Sequence, residues 1–372
     1  MYFTLTPPYR GQIRNLQILS DSLQKNVLII TGTDTEGLNH DNLHDLTNQI
    51  EKTILSNACI ELIVIDITGD PDLVDNPDSP ITARQLRQHL LTLKPTVIVT
   101  EDYNYWYKPS DGVIFFPWQL WLYNTQSISK FYTYKNTVYD TSLEKTQAVV
   151  CMNRSLHWHR LYLFSLLAGQ SWFDKINYSF IATLGNRLEH PYAIKRYLDT
   201  DEIQAIADLG HRLPMQLQEE QHLALKQIPV MFSTGGASVN DPAHSNYAVN
   251  LVTETSLTEG VVITEKTCKA IMAYQIPIIV GPVGACQYLE DLGLDMFSDH
   301  VPWKTWDHEK DHKLRMRMIV EFLDRMLDKD TAKQDILRLH ASLHPRLIQN
   351  KKYFHSREFE NLLLTAIKSY TI

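Results

Sequence analysis

Lys266 and Lys269 lie three residues apart in the stretch VVITEKTCKAIMAYQIPIIVGP, Val261–Pro282. On a helix that spacing puts both ammonium groups on one face. An apolar run ending at Thr264 precedes them, and a second, Ile276–Val280, runs into Gly281 and Pro282. The pattern predicts strand, helix, strand. Thr264 is the expected N-cap, its hydroxyl accepting a backbone N–H of the first turn. Ala270, Ile271 and Met272 form the apolar face. Cations at a helix N-terminus oppose the macrodipole, which favours anions there. Glu265, Lys266 and Lys269 therefore read as a phosphate site in preference to a pair of solvated lysines. The same anomaly occurs earlier. Asn153 and Arg154 follow the apolar run Thr146–Met152, and His157 and Arg160 fall in the first turn of a helix expected over Leu156–Ala168. Two cationic helix starts of this kind together suit a diphosphate.

The elements that must position these residues are legible as a rhythm. Asn26–Thr31, Cys59–Ile67, Thr96–Thr100 and Gly112–Phe116 read as buried parallel strands, rich in Val and Ile. Leu38–Ser56, with Leu43, Leu46, Ile50 and Ile54 on one stripe, reads as a helix, and so does Thr82–Leu93, ended by Lys94-Pro95. The alternation restarts after Pro117–Thr141, an aromatic stretch read as packing in preference to a sugar- or base-binding surface. Thr146–Met152, Asn177–Thr183 and Ala248–Thr253 are the next strands. Asp201–Gln227 is expected to be mostly helical, and Phe232–His244 a loop rich in Gly, Ser and Asn. His312–Lys329 is an amphipathic helix, and the chain from Thr331 onward is helical with a break at Pro345. The fold class is thus α/β, two Rossmann-like doubly wound domains, residues 1–143 and 144–372, facing across a cleft. Ligands of such sheets bind outside the carboxyl ends of the strands.

At 372 residues, two domains of ordinary size are expected. The 44% hydrophobic and 21% charged content is that of a globular protein, and the formal net charge of -8 excludes a general polyanion-binding surface. Cys59, Cys151, Cys268 and Cys286 are far apart without a CxxC pair, which predicts free thiols in a reducing, cytoplasmic compartment. The N-terminal MYFTLTPPYR lacks the layout of a signal peptide. No apolar run approaches the roughly 18 residues of a membrane span. Neither a P-loop nor a GxGxxG fingerprint occurs, which argues against an ordinary kinase and a dinucleotide dehydrogenase.

Glu254-Thr255-Ser256, then VVITEK, then IPIIVGP resembles the donor-site signature of the fucosyltransferase-like glycosyltransferases. That signature runs Glu-Asn-Ser, a gap, Tyr-(Val/Ile)-Thr-Glu-Lys, a helix, then (Val/Ile)-Pro-(Ile/Val) and a strand into Gly. The segment with Asn153-Arg154 and His159-Arg160 looks like that of related phage and bacterial enzymes. The resemblance covers about residues 248–300. It implies a GT-B fold whose C-terminal domain holds a nucleotide-diphosphate sugar. It also implies Lys266 on the diphosphate, Glu265 on the ribose hydroxyls, Arg160 on a phosphate, and Glu254 near the sugar or ribose. Thr255 replaces the signature Asn and Val262 the Tyr, which leaves the transferred sugar open.

The expected activity is transfer of a sugar from a nucleotide-diphosphate sugar to an acceptor hydroxyl, inverting and independent of metal. No cofactor beyond the donor is expected, and no metal ligands are assigned. The acceptor is a glycan or a modified nucleotide. Its hydroxyl needs a general base from the first domain. Asp34, Glu36, Glu101 and Asp102 stand at strand ends, and Glu101 and Asp102 are preferred. His157 and His159 are either ligand contacts or a helix-start pair with one ring packed and one exposed. Trp303 and Trp306 either stack on a base or sugar or pack the C-terminal helices. Two other functions fit the same residues: a DNA base glycosyltransferase acting on hydroxymethylated pyrimidines, and a non-catalytic nucleotide-sugar- or glycan-binding module.

Overall fold

A computed structural model of the chain describes residues 2–4, 26–30, 40–66, 90–100, 113–115, 143–153, 157–180, 196–213, 215, 246–255, 257, 263–356, 358–359, 361–362 and 365. Among these are nine strands and eight α-helices. Two compact units emerge. One comprises Met1–Phe131, Glu259–Ile263 and His355–Ile372, the other Tyr132–Thr258 and Thr264–Phe354. Arg154, Glu101, Asp102, Asp34, Glu36, the aromatic stretch 117–141 and the loop 232–244 lie outside the described residues.

The first unit holds a five-stranded parallel sheet: β1 (Tyr2–Thr4), β2 (Val27–Ile30), β3 (Leu62–Asp66), β4 (Thr96–Thr100) and β5 (Val113–Phe115). Strands buried on both faces read as continuous apolar runs, and Val27, Leu28, Leu62, Ile63 and Val64 are fully buried. Helix α1 (His40–Ser56) buries Ile50 and Ile54. β1 is a strand that periodicity does not announce, because three residues are too few to show a period. The strand order is β1-β2-β3-β4-β5, without a reversal. Among the described strands, the order reverses in the second sheet only, and both parallel sheets are compatible with Rossmann-like folds.

The second unit is built on β6 (Gln147–Asn153), β7 (Ile176–Phe180), β8 (Tyr247–Thr253) and β9 (Ile276–Val280), all parallel, in the order β7-β6-β8-β9. The chain steps from β6 to β7, returns to the far side of β6 as β8, and continues to β9. The order thus reverses between β6 and β8. Right-handed crossovers then put α2 (Trp158–Ala168) and α4 (Glu265–Met272) on opposite faces. Every residue of β8, a central strand, is buried, and so is every residue of β9, the last strand of the described order.

The helix expected over Asp201–Gln227 ends early. α3 (Thr200–Asp208) opens on a capping box of Asp199 and Glu202 and ends at Leu209, and Gly210–Arg212 form one 3-10 turn. Met215 then pairs with Phe180 in an isolated bridge. α5 (Ala285–Asp291), α6 (His312–Leu327), α7 (Ala332–Ser342) and α8 (His344–Phe354) complete the unit. Pro345 opens α8 at its second residue, where a missing N–H costs no hydrogen bond, and the break precedes it at Leu343. No described helix is long and apolar enough to cross a membrane.

Candidate functional site

The reversal of strand order places the carboxyl ends of β6 and β8 side by side. Thr253 Oγ1 donates to Asn153 Oδ1 at 2.5 Å, and Asn153 Nδ2 donates to Tyr178 OH at 3.1 Å. Asn153 is buried, and its amide joins the ends of β6 and β8 to the middle of β7. The residue after β8, Glu254, is fully buried. Its N–H donates to Val280 O at 2.9 Å, holding it to the end of β9. Its carbonyl accepts from His159 Nε2 at 3.0 Å and from Arg160 Nη2 at 3.3 Å. Arg160 Nη2 also reaches Thr253 O, at 3.4 Å. Both side chains belong to the first turn of α2.

The carboxylate of Glu254 turns the other way, into α4. Oε1 accepts from Thr264 N at 3.2 Å and from Thr267 Oγ1 at 2.6 Å, and Oε2 accepts from the Thr264 hydroxyl. Lys266 Nζ donates to Thr264 Oγ1 at 2.9 Å and to Thr255 Oγ1 at 3.0 Å. Gly281 admits this packing. A Cβ there would meet Ile279 Cγ2 at 2.9 Å and Glu254 Cγ at 3.5 Å.

Three sequence expectations change. Thr264 occupies the N-cap position but makes no side-chain cap bond. Its hydroxyl donates to Glu254, because a buried carboxylate is a stronger acceptor than a hydroxyl is a cap. Lys269 is buried in the last turn of α4 and is no part of its N-terminus. The helix has only eight residues, so a residue one turn beyond Lys266 already lies at the cation-favouring end. Glu254, implied to sit near the sugar or ribose, spends both oxygens on Thr264 and Thr267. Glu265 is the first residue of α4.

What the structure does bring together is Arg160, Lys266, His157 and His159. The two imidazoles stack at 5.5 Å between centroids. Burial depresses both, His157 to about 4 and His159 to about 3, and the charges of Arg160 and Lys266 push each the same way. The two cations, distant in sequence, therefore act on one pair of rings. His159 faces a carbonyl, which only accepts, so a hydrogen is on Nε2, while burial and the Arg160 charge disfavour a second one on the ring. His159 is packed and His157 half-buried, so neither ring is exposed. α2 has no acid in its first turn and no side-chain cap. The starts of α2 and α4, with Arg160, Lys266 and the two rings, thus lie at the carboxyl ends of β6 and β8, where ligands of such sheets bind.

Several neighbours carry no local sequence signal. Trp158 stacks on Tyr197 at 4.7 Å and approaches His312 at 6.2 Å. Arg315, fully buried in α6, donates to Gly281 O at 3.0 Å, to Glu309 O, and to His312 Nδ1 at 2.9 Å. Its one available sign was a charge on the face of α6 that buries Met316, Ile319 and Leu323. Trp303 and Trp306 are buried at 1% exposure, Trp306 against Phe322 at 5.5 Å, so they pack. The four cysteines are free, three of them buried.

Acid should destabilise this region in a definable window. The unfolded chain protonates His159 near 6.5, whereas the folded chain resists down to about 3. Its contribution is complete above pH 6.5 and falls by about 1.4 kcal/mol per unit below it. His157 and His340, both lowered to about 4, act in the same sense. Asp307 and Glu290, raised by burial, act in the opposite sense. Urea denaturation between pH 6.5 and 5 should show a slope that His159→Gln reduces by about 1 kcal/mol per unit. An unchanged slope contradicts the assignment.

No protein-family model, curated protein or solved structure matches the chain.

Proposed function

We infer that the chain is a glycosyltransferase of the GT-B class, fucosyltransferase-like in its donor site. It would move a sugar from a nucleotide-diphosphate sugar to an acceptor hydroxyl. The observation that carries this reading is that Arg160 and Lys266, near the starts of two helices, are linked through Glu254 at the strand-order reversal. Departure of a nucleoside diphosphate places negative charge on phosphate oxygens. Fixed cations and backbone N–H groups stabilise that charge without reorganising. In the inverting reaction the acceptor oxygen forms its bond to the anomeric carbon as the bond to the phosphate oxygen breaks. The bonding pair leaves with the diphosphate, and the acceptor proton passes to a base, for which Glu101 or Asp102 is the candidate.

A thermal-shift titration with UDP, GDP, CDP and dTDP tests the reading. One of the four, at about 100 times its Kd, should stabilise the chain by about 2.7 kcal/mol, a shift of several degrees. No shift with any of them overturns it. A shift without transfer or hydrolysis of the matching sugar nucleotides would mark a binding module.

A further inference from the structure

We propose that Glu254 and Thr264 are positioning residues that hold the Lys266 ammonium in place for the donor's diphosphate, a role that rests on the donor reading above. A hydroxyl has one hydrogen. Thr264 gives that hydrogen to Glu254 Oε2, so its oxygen is left to accept, and the donor it accepts from is Lys266 Nζ at 2.9 Å. The direction of each bond in the chain Lys266, Thr264, Glu254 is thereby fixed. Charge at the buried carboxylate polarises the hydroxyl towards the ammonium. Oε1 is occupied by Thr264 N and Thr267 Oγ1, which prevents the carboxylate from turning.

The same residue governs the other cation. The carbonyl of Glu254 accepts from Arg160 Nη2 and His159 Nε2. Its N–H is bound to Val280 at the end of β9. One residue at the end of β8 therefore sets α2 through its main chain and α4 through its side chain. The separation of the two cations is decided there. Electrostatic stabilisation is effective only when the charges are held where the oxygens will be, so a free ammonium on a four-carbon stem is a poorer partner than a tethered one.

The test uses the full chain with inorganic pyrophosphate, measured calorimetrically, beside the four nucleoside diphosphates. Thr264→Val keeps the branched shape and removes the relay. Thr264→Ser keeps the hydroxyl. Thr264→Val should bind pyrophosphate at least about 10-fold more weakly. Thr264→Ser should stay within about 3-fold of wild type, with both variants folded. In a Lys266→Ala background Thr264→Val should have no further effect, as expected of two residues acting in one unit. Wild-type affinity in Thr264→Val, or an undiminished effect of it without Lys266, overturns the positioning role and leaves the donor reading intact. A wild-type chain that binds neither pyrophosphate nor any of the four nucleotides removes the donor reading itself.

Discussion

Lys266→Ala is expected to lower sugar transfer about 10²–10³-fold while leaving the fold intact, the cost of losing one preorganised donor to developing oxyanion charge. The two effects separate because Lys266 is half-buried and its own bonds go to the hydroxyls of Thr255 and Thr264. Thr264 remains attached to Glu254 when the ammonium is gone, and Thr267 holds the other oxygen. Stability should therefore change by no more than about 1 kcal/mol. The loss should appear mainly in kcat, since phosphate oxygens gain charge as the sugar departs. Lys266→Arg should recover part of it, because the charge is kept but a planar fork replaces a point donor. Wild-type kcat/KM in Lys266→Ala, measured with the nucleotide sugar that the thermal-shift titration selects, would remove Lys266 from the site.

Arg315→Ala should have the largest effect on stability, about 3–5 kcal/mol. The guanidinium is buried and bridges the carbonyl of Gly281, by a buried bond, and that of Glu309, by a part-buried one. Removing it strands the Gly281 acceptor and leaves a cavity in α6 against the end of β9. Desolvation already lowers the Arg315 pKa to about 10, and its Nε has no hydrogen-bond partner among the described residues, so the native arrangement carries a cost of its own. Arg315→Met removes that cost and fills most of the space. It should lose roughly half as much, and urea midpoints of the two variants check the order. Equal midpoints would mean that the space left by the side chain contributes nothing.

Much of the site was readable because it depends on local rules. The end of β8 at Thr253, the start of α4 at Glu265 and the run of β9 agree with the reading, whereas Ile263 and Thr264, expected to end a strand, lie in none, and Val261 and Val262 are outside the described residues. Arg160 falls in the first turn of α2 as spacing predicts. Lys269 was misplaced for an equally local reason. Three-residue spacing reports a shared face and says nothing of helix length, and eight residues put Lys269 at the opposite end from Lys266.

The sequence by itself determined that strands and helices alternate, that the strands are buried and parallel, and which helix starts bear cations. Each follows from periodicity and charge within a dozen residues. Tertiary structure alone decided that the first sheet runs in order while the second reverses between β6 and β8, because an alternating rhythm does not state on which side the next strand is added. It also decided that Glu254 points inward, since a carboxylate's direction depends on which donors the fold collects around it. The meeting of Arg160 with Lys266 has the same origin: it exists because β6 and β8 became neighbours, and no local pattern encodes that.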